Sequence, residues 1–178
     1  PWSVNQSAPA RIRADAARAR AEGADLVVVS LHWGTEYVHE PSAYQRQVAS
    51  EVLPSPDIDL VVGHHAHVVQ PVGQVGGTYV IWGLGNQLAN QRQVPRTDGL
   101  TVVLHAAKEP GGRYRVAGIE AVPTYVEGGT FKVLPVVPTV AAGASGALRD
   151  ELLASYDRTA AVLATAPTPG VTLAARPG

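Results

Sequence analysis

The chain has 178 residues, 46% hydrophobic and 16% charged, with 14 basic against 15 acidic residues and a formal net charge of -1. That length suits one domain with a real core, since chains of roughly 100–200 residues usually form one, and the even charge offers no basic face for nucleic acid. With no cysteine in the sequence, neither disulfides nor a thiolate zinc site can hold the fold, and any metal must be bound through nitrogen and oxygen.

No apolar stretch approaches the roughly 20 residues of a membrane span, and the first residues lack the charged and apolar regions of a signal peptide. The chain starts at Pro1 and contains no methionine, which reads as a fragment or a processed piece.

"SAPARIRADAARARAEG" predicts a helix, with Ser7 as N-cap, Pro9 in the first turn and Gly23 as the stop. Its arginines are interrupted by Asp15 and Glu22 and read as a solvated helix face rather than a nucleic-acid arm. "ADLVVVSL" follows, a continuous run that suits a strand buried on both faces. Pro41 or Ser42 opens a second helix, "SAYQRQVASEVL", whose Tyr44, Val48 and Val52 recur at helical spacing. "PSP" breaks it, and "IDLVV" is a second buried strand. Strand, helix and strand with tight connections predict parallel pairing through a right-handed crossover.

Farther along, "TYVIWGLGN", "GLTVVLHAA" and "RYRVAGIEAVPTYV" are strand candidates separated by the glycine-rich turns "GQVGG" and "KEPGG", as in antiparallel hairpins. "SGALRDELLASYDRTAAVLA" predicts a helix with apolar Leu148, Leu152, Leu153 and Tyr156, and "TAPTPGVTLAARPG" a mobile tail. The expected organisation is a main domain over residues 1–138, followed by a helix and tail over 139–178.

Three histidines within four residues, in "VVGHHAHVVQ", raise the chemical question. In a parallel α/β sheet, ligands bind outside the carboxyl ends of the strands. The first strand delivers His32 there and the second delivers His64, His65 and His67; neighbouring strands lie only about 4.8 Å apart. Alternation along extended chain puts His65 and His67 on one side and His64 on the other. His32, His65 and His67 are then candidate metal ligands, and His64 a second-sphere group or proton donor. Neutral imidazole suits zinc, copper, iron and nickel, and with added carboxylates manganese.

His39 and His105 read as a solvated loop side chain and a strand residue. Trp33 and Tyr37 are candidates to wall the site, while Glu36 either pairs with an imidazole or substrate or is an exposed loop carboxylate. Asn86 either caps a turn or donates to an oxyanion, and the glycines of "WGLGN" would let backbone approach a ligand. Neither the Rossmann pattern nor a P-loop lysine is present in "GLGN".

In their order and spacing, "VVVSLHWGTEY", "DLVVGHHAHVVQPV" and "YVIWGLGNQLAN" resemble the CapA family of bacterial capsule-synthesis, or poly-γ-glutamate biosynthesis, proteins, related to calcineurin-like metallophosphoesterases. "DGLTVVL" and "PTYVEGGTFKVLP" look like the family's continuation, so the resemblance covers most of the chain to about Pro138. It implies a partial metallophosphatase-like α/β/β/α sandwich, here a parallel βαβ unit continuing into antiparallel strands. It further implies a divalent metal (Mn, Fe or Zn), an anionic envelope polymer or phosphoester as substrate, and a place in the cell envelope or outside the cell. By position, His32 resembles the superfamily's lone histidine ligand and His65 with His67 its pair, although the usual pair begins directly after glycine, where this chain has His64. The family's first half supplies an Asp, a Glu-containing stretch and an Asn-His pair, and Pro1–Ala8 holds no Asp, Glu or His. The chain thus resembles the carboxyl-terminal half of such a protein, with the amino-terminal half as its missing partner and no activity expected of this piece alone. A non-catalytic scaffold or polymer-binding partner in capsule synthesis or export is the alternative, and histidines that only satisfy buried polar edges the plainest reading.

Overall fold

The computed structural model describes residues 8–178. Helix α1 (Pro9–Ala21) has Pro9 in its first turn, where a missing N–H disrupts no helical hydrogen bond; the Ser7 cap lies outside the described residues. Arg11 and Arg18 stand exposed beside Asp15, whereas Arg20 turns inward to pair with Asp59. Asp59 Oδ2 also accepts from Val27 N at 2.6 Å. One carboxylate therefore ties α1 to the starts of β1 (Val28–Trp33) and β2 (Leu60–His65).

Helix α2 (Ala43–Val52) opens on Ser42 with a full capping box: Gln45 N donates to Ser42 Oγ at 3.2 Å, and Ser42 N donates to Gln45 Oε1 at 2.8 Å. Its buried stripe is Gln45, Val48, Ala49 and Val52, the i, i+3, i+4, i+7 pattern of one helix face. Tyr44, expected on that face, flanks the stripe and is 51% exposed.

The predicted parallel unit is present. β1 pairs with β2 in parallel, with His32 opposite His64 and Trp33 opposite His65. β4 (Thr78–Ile81) runs parallel along the other side of β2 and also forms a hairpin with β3 (Val72–Val75), giving the order β1-β2-β4-β3. "GQVGG" is thus mostly strand; the turn narrows to Gly76 and Gly77, both at positive φ, as two-residue hairpin loops demand. The second sheet is antiparallel across β5 (Asp98–Lys108), β6 (Tyr114–Val126) and β7 (Val133–Pro135), with β8 (Val171–Leu173) parallel to β6. Helices α3 (Val136–Ala141) and α4 (Gly146–Ala164) complete the elements.

Three apolar clusters order these layers. The first holds α1 and α2 against the first sheet through Ala16, Val48, Val52, Leu31, Trp33 and Trp82. The second lies between the sheets, Leu60, Tyr79 and Ile81 meeting Leu100, Ile119 and Ala121. The third joins Tyr125 to Val136, Val140, Leu152 and Tyr156 of the last two helices. The fold is a mixed α/β architecture with a parallel-strand sheet and an antiparallel sheet, a partial metallophosphatase-like sandwich. On β5, Thr101, Val103 and His105 are exposed to solvent. Among the described residues no helix is long and apolar enough to cross a membrane.

Two expectations are corrected. The segment after α4 is not a free tail: Val171–Leu173 pairs with Ile119–Ala121, Tyr79 Oη donates to Pro169 O at 2.8 Å, and Thr168 Oγ1 donates to Val72 O at 2.9 Å. Its proline and glycine shape a crossing between the two sheets. The boundary at residue 138 falls inside α3, whose Val136 and Val140 belong to one cluster with α4.

Within the first sheet, Trp33 Nε1 donates to Trp82 O at 3.0 Å across the face of Gly63, in the space a Cβ there would occupy. Gly63→Ala is expected to destabilise the chain by about 2–4 kcal/mol, combining overpacking with the lost hydrogen bond; urea denaturation measures it. In the third cluster Tyr125 donates to Glu151 Oε2 at 2.5 Å. Burial first, then this bond and the charges of Glu151 and Asp98, against the opposing pull of Arg158, push its pKa from 10.0 up to about 12. A raised folded pKa means stability that is present below about 10 and lost as pH climbs toward about 12. Urea midpoints across that range should fall in the parent chain and fall less steeply in Tyr125→Phe.

Candidate metal centre at the ends of the parallel strands

The carboxyl ends of β1 and β2 bring the imidazoles together. The His32 and His65 ring centroids lie 4.5 Å apart, and those of His65 and His67 6.2 Å apart. His65 and His67 share a side for a different reason from simple alternation. The backbone leaves the extended region at both, with φ of 96° and 56°, and turns the rings back toward β1. Three of the four described non-glycine residues at positive φ, Tyr37, His65 and His67, lie in this one place. Such conformations cost of order 1–3 kcal/mol each and cluster where function demands them.

Hydrogen bonds hold the turned chain. Tyr37 N donates to Ala66 O at 2.7 Å, and its ring stacks on His67 with centroids 6.0 Å apart. His39, expected as a solvated loop residue, donates from Nδ1 to Val69 O at 2.6 Å and pins the loop after β1 to the loop after β2. Beneath them, Gln45 Nε2 donates to Gln70 Oε1 at 2.7 Å and Gln70 Nε2 donates to Val38 O at 2.9 Å. Sequence reasoning missed Gln45 and Gln70, both fully buried; the capping pattern Ser42-x-x-Gln45 was the available signal for the first.

Asn86 orients one imidazole. Its Nδ2 donates to Arg96 O at 2.8 Å and to Gln91 Oε1 at 3.3 Å, so Oδ1 faces His67 Nδ1 at 2.8 Å. A carbonyl oxygen only accepts, which puts the proton on Nδ1 and leaves the Nε2 lone pair of neutral His67 free. This is how ligand histidines are commonly fixed. Both Asn86 donors are thereby engaged within the chain, which leaves neither for an oxyanion.

His64 is exposed at the strand end; partial desolvation, and secondarily the charge of His32, lower its pKa from the ordinary imidazole value, widening the range in which it is neutral. Glu36 is exposed in the turn after β1 and makes no hydrogen bond or ion pair among the described residues. Trp33 does not wall the site: it is 2% exposed and stacks on Trp82 in the first apolar cluster, because its neighbour His32 takes the opposite face of the strand. Gly83 and Gly85 also serve packing, the space beside each being filled by Gln70 and by Asp98 O.

The donor set has the chemistry of a divalent-metal site but not a closed shell. Among the described residues no group of three or more His, Cys, Asp or Glu is gathered closely enough to hold an ion. Cavities of about 280 and 360 Å³ lie between α1 and β1 and beside the β3–β4 hairpin, and no histidine lines either. The imidazoles sit on an open edge.

Residues 2–91 match the family described as bacterial capsule synthesis protein PGA_cap, a span that includes His32, Glu36, His64, His65, His67 and Asn86. The chain belongs to that family. It is 36% identical over 117 residues to the PGA biosynthesis protein CapA of Bacillus subtilis (strain 168), covering 64% of this chain and 30% of that protein. To the capsule biosynthesis protein CapA of Bacillus anthracis it is 33% identical over 109 residues, 61% of this chain and 25% of that one. The chain therefore spans under a third of the length of these curated relatives.

The Asn86 bond gives a direct test. Long-range proton–nitrogen spectra in chelator should show His67 with its proton on Nδ1, and Asn86→Leu should release the ring into a mixture of tautomers. An identical pattern in both proteins would contradict the assignment.

Proposed function

We propose that this chain carries part of a metal-dependent, hydrolase-like site that acts on an anionic capsule polymer during its synthesis or processing at the cell envelope. The observation that carries the reading is the approach of His32 to His65 at 4.5 Å, with His67 alongside. The names of the relatives supply the biological setting, capsule and PGA biosynthesis. His32, His65 and His67 would hold the ion through ring nitrogens, and Mn, Fe or Zn fits such donors. A cation bound there supplies Lewis acidity toward a phosphoryl or carbonyl oxygen. His64 borders the ligands and is the residue proposed to carry a proton, with Glu36 in the facing turn contacting substrate. Further ligands would have to be added to these three imidazoles, the role that the family resemblance gives to the amino-terminal half of the domain. An open edge suits a long polymer better than the enclosed pockets typical of small ligands.

The absence of a closed ligand group among the described residues favours a second reading, a non-catalytic scaffold that binds the polymer. Metal analysis of the purified chain separates the two. Bound divalent metal is expected, and changing His65→Ala and His67→Ala together should weaken it at least about tenfold. Metal content indifferent to the double change removes the metal centre, and polymer binding that persists in chelator, with no turnover by this chain or by a full-length member of the family, leaves the scaffold.

A further inference from the structure

Beside the imidazoles stands an arginine that the metal reading does not use. The Arg96 guanidinium carbon lies 3.6 Å from the centroid of the Tyr37 ring, the same ring that stacks on His67. Its backbone is fixed on both sides: Arg96 N donates to Gln93 O at 2.7 Å, and Arg96 O accepts from Asn86 Nδ2 at 2.8 Å. Yet its side chain makes no hydrogen bond and no ion pair among the described residues. Of the other described arginines, Arg20, Arg46, Arg158 and Arg176 each meet a carboxylate and Arg13, Arg113 and Arg149 each meet a backbone carbonyl, while Arg92, which also lacks such a bond, stands exposed to water. Arg96 is half-buried, so its charge is partly withdrawn from water without a partner to compensate it.

A guanidinium over an aromatic ring is held there by cation–π attraction, which leaves the N–H edges of its planar fork available to a second partner. Those edges match the two oxygens of a carboxylate or phosphoryl group, which they can meet in parallel. We infer that Arg96, positioned by Tyr37, is a substrate-binding residue that grips an oxyanion of the polymer next to the imidazole edge. The chain of contacts runs Arg96, Tyr37, His67, Asn86 and back to the Arg96 carbonyl, so the anion subsite and the candidate ligand are fixed by one ring of interactions. The inference rests on the proposed function only in taking this edge as the place where substrate lies.

The test is calorimetric titration of the 178-residue chain with a γ-linked glutamate oligomer and, separately, with inorganic phosphate, in chelator and at about 0.15 M salt to suppress diffuse attraction. Binding in chelator keeps the measurement independent of whether the histidines hold a metal. Arg96→Gln should weaken the bound probe about tenfold or more, and Arg96→Lys should fail to restore it, since an ammonium lacks the planar fork. Arg92→Gln, an exposed change four residues away, should alter affinity by less than about twofold. Binding of the oligomer alone identifies a carboxylate as the ligand, and binding of phosphate identifies a phosphoryl group. The inference is overturned if neither probe binds, if Arg96→Gln binds like the parent, if Arg96→Lys is as good as arginine, or if Arg92→Gln is equally damaging. Thermal unfolding of each variant, expected little changed because the Arg96 side chain makes no hydrogen bond or ion pair among the described residues, separates lost binding from lost structure.

Discussion

The hydrogen bond between Gln45 and Gln70 is the constraint on which the candidate site rests. Both side chains are fully buried, and together they join four chain segments: the start of α2, the loop after β1 through Val38 O, the loop after β2 that carries Gln70, and the backbone at Trp82 O. Buried amides in a low-dielectric interior are strong when every member is paired and costly when one is not. This network leaves little freedom in how the loops after β1 and β2 approach each other. Gly34 and Gly83 lie where a side chain would collide with Gln45 and Gln70, so backbone and side chains are fitted to one arrangement. The turned conformations of Tyr37, His65 and His67 are held above that base.

Much of the fold could be read from the chain. The apolar runs around Val29 and Val61, the helix between them and the strand-end histidines led to a parallel unit with converging imidazoles, and the register of His32 with His64 realises it. What escaped did so for physical reasons. Gln45 and Gln70 look like surface residues because their burial depends on partners 25 residues apart. Trp33 has the local pattern of a site wall, an aromatic beside a histidine, whereas alternation along β1 sends it into the core. β8 is only three residues long, and its partner is supplied by tertiary contact with β6, which a local pattern cannot announce. His39 seemed a free loop residue because the carbonyl it binds belongs to the other strand's loop.

The site is a half-circle of chemistry. His67 has one nitrogen committed to Asn86 and one free, His32 and His65 lie tilted with ring centroids 4.5 Å apart, and Arg96 lies over Tyr37 with no counter-charge among the described residues. Imidazole donors and a stacked guanidinium are complementary tools, one suited to a cation and the other to the oxygens that a cation would also attract. Their sharing of Asn86 and Tyr37 couples the two halves mechanically.

The bonds from Tyr79 to Pro169 and from Thr168 to Val72 span 90 and 96 positions along the chain. Contacts of such separation carry a large loop-closure cost and tend to form after local pairings. The β1–α2–β2 unit that bears the histidines can therefore assemble early from neighbouring residues, while the brace across its far hairpin arrives only when the segment after α4 has emerged and docked. During synthesis, the imidazole edge would exist before the sheet that carries it is locked.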